Sequence, residues 1–230
     1  MITIQTIKPS FIALPVVYKY MGKKYIDLFF EHGLLRLGSF TKFQEYPDEI
    51  RGDISEGRGA LQSKGEDGFQ FIGVTEVGND AYIFCTSIIE SDELMKEFNT
   101  DGYFKIKDLL GFSLAVANCI PGFSQSVQGF CYYQDFRLIT KTIGGMAMND
   151  FTNENGELII GGPKMFQRLR EMSGDGTDLM FLKEKKYQKQ GEYRFIWQIN
   201  SQFFKLQKIF DIECKEAVQF CERINGLQSN

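Results

Sequence analysis

The order in which strand-like and helix-like segments follow one another is the feature that most constrains the fold of this chain. Short apolar runs typical of strands alternate irregularly with helix-like segments, and the regular strand–helix–strand rhythm of a parallel sheet is missing. The predicted strands cover residues 11–20, 34–40, 69–77, 81–89, 129–139 and 191–200. The predicted helices cover residues 21–33, 91–99, 103–120, 163–172 and 211–225. The sequence therefore predicts an α+β domain with antiparallel sheets.

Turn and capping residues support several of these boundaries. Gly33 is a natural C-cap for the first helix, because glycine readily adopts the left-handed conformation found there. Ser91 is a natural N-cap for the second helix. The tripeptide GND separates two apolar runs and predicts a hairpin between the strands at 69–77 and 81–89.

The segment 45–68 is charged and rich in glycine, and we interpret it as a long surface loop. Loops of this length are usually functional or disordered. Its charged residues Arg51, Asp53, Glu56 and Arg58 could close over a ligand or contact a target. They could equally belong to an ordinary solvated loop of mixed charge, and the sequence leaves both interpretations open.

Size and composition favour a single domain over residues 1–230. The chain is 43% hydrophobic, which is enough to bury a core without disulfides, and it contains no internal repeat or linker. A net charge of −4 argues against broad electrostatic binding to nucleic acid or to an anionic membrane. No apolar run reaches the ~18 residues of a membrane span. We therefore expect a cytoplasmic protein without a membrane partner.

The residue inventory excludes several kinds of site. The five cysteines lack a CxxC pair, so we expect reduced thiols, with Cys214 and Cys221 on one face of the last helix. His32 is the single histidine, and it lies near a predicted helix C-terminus, where an imidazole is favourable without a catalytic role. We therefore expect no metal site. The chain has neither a GxxxxGK[ST] phosphate loop nor a GxGxxG motif after a strand. Any chemistry must use carboxylates, arginines, hydroxyls and amides.

Three strand-like segments carry polar residues among apolar neighbours. Arg36 lies between two leucines, Thr86 and Ser87 interrupt an apolar run, and Glu192 begins the last predicted strand. Each has an ordinary structural explanation, because threonine is common in sheets and charged residues often pair across strands.

The last of these segments also predicts a shared face. If the strand extends back to Gln190, the side chains of Gln190, Glu192 and Arg194 lie on one face, because strand side chains alternate. Arg194 would then pair with Glu192 or with a phosphate.

Together, the three segments resemble the ADP-ribosyltransferase superfamily, in the branch named for its arginine, serine and glutamate motifs. Arg36 matches the arginine motif, Cys85-Thr86-Ser87 the Ser-Thr-Ser motif, and Gln190-Gly191-Glu192 the Gln-x-Glu motif. Cys85 departs from this pattern, since the family has a serine there. The stretches LLRLGSFTKFQ and RGDISEG, taken with the segment around the third motif, also resemble a bacterial family often found among phage-defence genes.

The resemblance implies an ADP-ribosyltransferase-like fold of split antiparallel β-sheets with flanking helices, and NAD as the substrate. Glu192 would stabilise the positive ribose during cleavage of the nicotinamide–ribose bond, Gln190 would orient the acceptor, and Ser87 would position Glu192 or the ribose. The implied cofactor-binding residues are Arg36, Gly38, Ser39, Thr86 and Arg194. The candidates for an aromatic ring that stacks on nicotinamide are Tyr82, Phe98, Tyr132 and Tyr133.

Two functions remain open from the sequence. The first is an enzyme that transfers ADP-ribose from NAD to a macromolecular acceptor, either protein or nucleic acid. The resemblance then implies a toxin or phage-defence effector with an antitoxin or a defence-system partner. The alternative is a non-catalytic module that senses a nucleotide or a phage component in a bacterial defence system. A fold resemblance does not by itself establish activity.

Overall fold

The computed structural model describes residues 14–47, 50, 52–64, 68, 70–142, 148–159, 162–163, 166–167, 171 and 177–224. The strands are β1 (Val17–Tyr20), β2 (Leu34–Ser39), β3 (Arg58–Lys64), β4 (Gln70–Glu76), β5 (Ala81–Ser87), β6 (Tyr103–Ile106), β7 (Phe123–Phe130), β8 (Tyr132–Gln134), β9 (Leu138–Thr142), β10 (Leu182–Glu184), β11 (Glu192–Ile199), β12 (Ile209–Glu213) and β13 (Cys221–Arg223). The α-helices are α1 (Lys23–His32), α2 (Phe40–Gln44), α3 (Asp92–Glu97), α4 (Leu109–Asn118), α5 (Thr177–Met180) and α6 (Lys215–Val218). Short 3₁₀ helices cover Met148–Asp150 and Lys185–Gln190. The fold is α+β, as predicted, and most strand pairs are antiparallel.

Strands β5 and β11 form the centre of the large sheet. They pair antiparallel over the whole length of β5, from Glu192 opposite Ser87 to Gln198 opposite Ala81. β7 pairs with the other edge of β11. With a neighbour on both edges, β11 is buried along almost all of its length, which fits its run of aromatic and aliphatic residues and leaves its polar residues Glu192 and Arg194 buried as well.

The two faces of the β5–β11 pair have different surroundings, because side chains alternate along a strand. One face buries Phe195 and Trp197 in the main hydrophobic core, with residues of α1 and α4. The opposite face places Ile196 in a second, smaller cluster. Glu192 and Arg194 share this second face with Ile196, so the polar residues lie outside the main core.

The outer edge of β5 is shared between two strands that diverge from each other. β2 pairs with β5 at Tyr82 and Ile83, whereas β1 pairs with it at Ser87 alone. β1 continues the sheet to β6 and β13, and β2 continues it to β12. The sheet therefore splits into two arms, and we call the gap between β1 and β2, alongside residues 84–86, the fork.

The backbone of Cys85 faces the fork. Ile88 N donates to Gly191 O (2.9 Å) at one end of the β5–β11 ladder, and the hydrogen-bonded pairs fall at alternate residues from there. By this alternation the Cys85 carbonyl points away from β11. It accepts a hydrogen bond from Lys19 Nζ at 2.7 Å, so a lysine side chain occupies the place of a strand partner.

The hairpin predicted between residues 69–77 and 81–89 is wrong. β4 pairs with β3 in a separate three-stranded sheet, which β9 completes by lying parallel to β3. β5 instead has its two edges occupied by β11 on one side and by β2 and β1 on the other. β3 itself lies inside the predicted surface loop 45–68. The prediction missed this strand because its polar sequence gives little sign of one.

Two predicted helices are interrupted. The segment 103–120 forms β6 and then α4, because the Asp108 side chain caps α4 by accepting from Gly111 N at 2.9 Å. The segment 211–225 forms β12, one helical turn in α6, and β13. Cys214 and Cys221 therefore do not share a helix face, although all five cysteines are free thiols.

The strand predicted over 129–139 is divided among β7, β8 and β9, and the helix predicted over 163–172 lies largely outside the described residues. Other boundaries are confirmed. Gly33 ends α1 in the left-handed conformation, and the Ser91 side chain caps α3. Across the described ranges, none of the helices has the length and apolar character that crossing a membrane requires.

The C-cap of α1 generates a stability prediction. Gly33 has a φ of 74°, and a Cβ there would lie 2.5 Å from the backbone nitrogen of Lys215, whereas Gly156 has a φ of 79° with open space around it. We expect Gly156→Ala to lower the free energy of unfolding by about 1–2 kcal/mol, the cost of the left-handed conformation alone. We expect Gly33→Ala to lower it by a further ~1–3 kcal/mol through overpacking. Urea denaturation measures both, and equal losses would contradict the close approach of α1 to α6.

Candidate functional site

A cavity of about 450 Å³ opens at the fork between β1 and β2. Its volume lies within the range of small-molecule sites. Its walls come from β1, from β2, from the end of β5 and from the start of β11. The predicted site residues in its lining are Arg36, Thr86, Ser87, Gln190 and Glu192. The structure thus brings residues from all three motif segments to one cavity.

Glu192 is a buried carboxylate at the wall of this cavity, and both of its oxygens are ion-paired. Oε2 accepts from Lys183 Nζ at 2.7 Å, and Oε1 accepts from Arg194 Nε at 2.6 Å. Burial alone would raise the pKa of Glu192, but the charges of Arg194 and Lys183 and their hydrogen bonds outweigh it. The pKa of Glu192 therefore lies well below its usual range, and the group is ionised at neutral pH.

Arg194 joins Glu192 to a second carboxylate. Its Nη1 and Nη2 atoms donate to Oε1 and Oε2 of Glu56, each at 2.8 Å, and Nη1 also donates to the carbonyl of Met180. Such a bidentate pair, with two parallel hydrogen bonds, is the strongest form of ion pair that arginine makes. The predicted pairing of Arg194 with Glu192 is confirmed. The guanidinium is fully buried, and its described partners are carboxylates and a backbone carbonyl, so its predicted place among the cofactor-binding residues stays a prediction.

Lys183 completes a network of two cations and two carboxylates. Besides its contact with Glu192, its Nζ lies 3.9 Å from Glu56 Oε2 and 4.5 Å from the ring centroid of Tyr187. Burial acts to lower the pKa of Lys183, but the charges of Glu192 and Glu56 dominate and raise it. The network is therefore balanced in charge, which is what burial of four ionised groups requires.

The segment 52–57 reaches the site through Glu56, and both of its carboxylates are buried. Glu56 is buried in the network, and Asp53 is buried in an ion pair with Arg137. Asp53 Oδ1 also accepts from Ser55 N at 3.0 Å, which holds the turn. The prediction of a surface loop over 45–68 is therefore wrong for this part, because the carboxylates meet cations from distant segments. Arg51 lies outside the described residues.

The hydroxyls of the middle motif hold the backbone at the end of β11. Ser87 Oγ donates to the carbonyl of Gln190 at 2.6 Å and accepts from Ile89 N at 3.0 Å. Thr86 Oγ1 donates to the carbonyl of Tyr193 at 2.8 Å. Both bonds fix the chain that leads into Glu192, so Ser87 positions Glu192 through the backbone.

Gln190 reaches the cavity by a different route from the predicted one. It ends the 3₁₀ helix Lys185–Gln190, and Gly191 follows in the left-handed conformation with a φ of 52°. The strand does not extend back to Gln190, so the expected shared strand face with Glu192 is wrong. The turn nevertheless brings both side chains to the cavity, and Gln190 Nε2 donates to the carbonyl of Ile50 at 2.8 Å.

The residues of the first motif segment have separate surroundings. Arg36 reaches the cavity but is exposed, and its guanidinium forms two hydrogen bonds to Asp211, at 2.7 and 2.8 Å. Gly38 packs against Phe43 and lines a neighbouring cavity. Ser39 is buried and caps α2 by accepting from Lys42 N at 3.2 Å, so its observed role is structural.

Of the aromatic candidates for stacking, Phe98 lines the cavity. Tyr82 is buried in the core and stacks on Phe210 at 5.1 Å, so it is not available to a ligand. The hydroxyl of Tyr132 donates to Asp178 O at 2.6 Å, and the hydroxyl of Tyr133 accepts from Glu192 N at 2.7 Å. Neither of these two rings is in the lining. The aromatic residues of the lining that the sequence did not indicate are Tyr18, Tyr20, Tyr25, Phe43 and Tyr46.

Two charged residues of the cavity, Lys19 and Lys183, were missed in the sequence, whereas Glu56 belongs to the loop that could close over a ligand. Lys19 lies between two tyrosines and Lys183 follows Leu182, which is a weak signal of burial. His32 is exposed at the end of α1, 3.7 Å from Glu31, and is outside the cavity lining. Within the described residues, no group of three or more His, Cys, Asp or Glu side chains is placed to bind a metal ion.

Comparison with family models, with curated proteins and with solved structures yields no match to this chain. The chemistry of the site is therefore argued from its own geometry. Its lining combines a fixed anionic group, amide and hydroxyl groups, and several aromatic rings. Such a combination suits a ligand with a polar, electron-poor centre and a flat ring.

The buried network generates a second prediction. Glu56→Gln leaves Arg194 and Lys183 with one carboxylate between them, and we expect the free energy of unfolding to fall by about 3–5 kcal/mol. Asp211→Asn breaks the exposed pair with Arg36, and we expect a loss below about 1 kcal/mol. Urea denaturation of the two variants provides the comparison. Small losses in both would show that Glu56 is not part of a buried network.

Proposed function

We propose that this chain cleaves the nicotinamide–ribose bond of NAD and transfers ADP-ribose to a macromolecular acceptor. The observation that carries the proposal is the position of Glu192, an ionised carboxylate fixed at the wall of a cavity, opposite Ser87 on the paired strand. The order of the three motif segments along the chain supports it. A role as a toxin or phage-defence effector, with an antitoxin or defence-system partner, belongs to the same proposal through the resemblance.

The proposed reaction needs a negative group beside the ribose. The bond between C1′ and the nicotinamide nitrogen breaks, and its electron pair leaves with nicotinamide, which becomes neutral. The ribose is left with a positive charge shared between C1′ and the ring oxygen, as in glycoside hydrolysis. The acceptor then bonds to C1′ and releases a proton. A preorganised carboxylate in a site with little water stabilises such a charge more strongly than water does.

The two ion pairs of Glu192 leave it able to bind a ligand. An ionised carboxylate offers about four lone-pair positions, and Lys183 and Arg194 each take one. A ribose hydroxyl can donate to those that remain. Because the low pKa of Glu192 keeps the group ionised, Glu192 would act through its charge and not as a proton donor.

Other residues of the cavity fit supporting roles. Arg36 would bind the phosphates of NAD, and leaving its exposed partner Asp211 costs little, because exposed ion pairs contribute about 0–1 kcal/mol. Gln190 would orient the acceptor, with its side chain held by the Ile50 carbonyl. Phe98 is the candidate ring for stacking on nicotinamide.

A binding module without turnover is the second candidate. Both oxygens of Glu192 are ion-paired, and Cys85 stands where the resembled family has a serine. In this alternative the cavity holds a nucleotide or a phage component, and the network only shapes it. The alternative predicts ligand binding without nicotinamide release.

The test is incubation of the protein with NAD that carries a labelled adenylate, alone and with a cell lysate. We expect nicotinamide release and transfer of the label to a macromolecule. Glu192→Gln should slow release by at least about 100-fold, because removing one electrostatic contact to a transition state typically has an effect of this size. Glu216→Gln, on the exposed surface of α6, should retain the wild-type rate.

The controls separate the two candidates. Circular dichroism checks that Glu192→Gln is folded, and Gln190→Ala provides a second site variant that leaves the ion network intact. Release that is unaffected by both substitutions would contradict the proposed role of the cavity. Failure to release nicotinamide, combined with no thermal shift on adding NAD, would overturn the transferase. A thermal shift without release would favour the binding module.

A further inference from the structure

A second cavity, of about 260 Å³, adjoins the first on the β2 side of the fork. The lining residues that the two cavities share are Lys19, Arg36, Phe43, Tyr46 and Cys85. The remaining walls of the second cavity come from β2, α2, β5 and β12. A ligand longer than a single ring system could therefore extend from one cavity to the other past Lys19 and Arg36.

The second cavity differs from the first in charge. Among the residues that the structure describes, its lining includes the cations Lys19, Arg36 and Lys42 and no carboxylate. In the first cavity, by contrast, Lys183 is neutralised by Glu56 and Glu192. The combined site therefore has a charge-balanced end at Glu192 and a positive end at the second cavity, where Arg36 is paired with Asp211 but Lys19 and Lys42 have no described carboxylate partner. A ligand that matches it carries its electron-poor centre at one end and its anionic group at the other.

Lys19 is the cation best placed for such an anionic group. An ammonium group has three donors, and the one described hydrogen bond of Lys19 goes to the Cys85 carbonyl. Its Nζ also lies 4.3 Å from the ring centroid of Phe84, so its immediate surroundings are largely apolar. Burial lowers the pKa of Lys19, because the charged form loses contact with water. An anion beside Nζ would offset this loss.

Lys42 stands on α2 at the other side of the second cavity. Its Nζ lies 4.7 Å from the ring centroid of Tyr46, which the two cavities share. Lysine binds phosphate oxygens as a compact point charge, without the fixed planar geometry that arginine requires. Two lysines around a small cavity are therefore suited to an anion whose charge is spread over several oxygens.

We infer that Lys19 and Lys42 form an anion subsite in the second cavity, and that it binds the diphosphate of a nucleotide whose ribose lies beside Glu192. The inference deepens the proposed function and rests on it for the orientation of the nucleotide. It assigns the main phosphate contacts to these two lysines, while Arg36 contributes at the junction of the cavities. It further requires that adenosine diphosphate bind without the nicotinamide half of NAD.

The experiment is calorimetric titration of the protein with ADP, AMP, adenosine and inorganic pyrophosphate. We expect ADP to bind at least tenfold more tightly than adenosine, with AMP between them, and pyrophosphate to compete with ADP. Lys19→Met should weaken ADP binding at least tenfold and Lys42→Met severalfold, with adenosine unaffected. Methionine keeps an unbranched stem, one atom shorter than that of lysine, and circular dichroism checks that both variants are folded. Lys107→Met is the control, because Lys107 is exposed and pairs with Glu222 far from the cavities.

Three results would overturn the subsite: no saturable binding of ADP, equal affinity for ADP and adenosine, or ADP binding that is unchanged in both lysine variants. These results are independent of turnover. If nicotinamide release depends on Glu192 while the affinity for ADP is unchanged in both lysine variants, the subsite fails and the proposed function stands. If ADP binding depends on the lysines but NAD is not cleaved, the subsite stands and the transferase fails.

Discussion

The buried ion network around Arg194 is the interaction on which the rest of the site depends. A buried charge without a partner is destabilising by several kcal/mol, so each charge taken out of water must meet an opposite one. Arg194 therefore requires Glu56 from the turn before β3 and Glu192 from its own strand. Lys183 adds the second cation from β10. This requirement joins segments that are distant in the chain and fixes the Glu192 carboxylate in one orientation.

The divergence of β1 and β2 places this network beside open space. In a continuous sheet, a strand would cover the whole outer edge of β5, and the Cys85 carbonyl would accept from its backbone. Here the two strands separate, Lys19 supplies the missing donor, and a cavity forms next to Glu192. One topological feature therefore explains the position of the cavity and the presence of a lysine within it.

The sequence predicts those parts of the fold and site that depend on local pattern. The alternation of β11 places Arg194 beside Glu192. Gly33 caps α1 through its left-handed backbone, and Ser91 caps α3 with its hydroxyl. Contacts between distant segments are not encoded locally. Glu56 lies 138 residues from Arg194, in a stretch whose composition is that of a surface loop. The predicted strand position of Gln190 is wrong because the left-handed Gly191 separates it from β11, which begins at Glu192.

A buried ion network is a weak source of stability, because apolar residues of similar volume often stabilise a fold as well or better. Its position is therefore more informative than its energy. Glu192 lies where the network meets a cavity, and its negative charge acts through surroundings that screen it far less than water does. Because Lys183 and Arg194 balance this charge, Glu192 acts on an electron-poor centre of a ligand at short range, through its remaining lone pairs, whether or not a reaction follows. Catalysis then differs from binding in one respect, namely whether the ligand has a leaving group attached to its electron-poor centre. In NAD, the nicotinamide ring is such a leaving group.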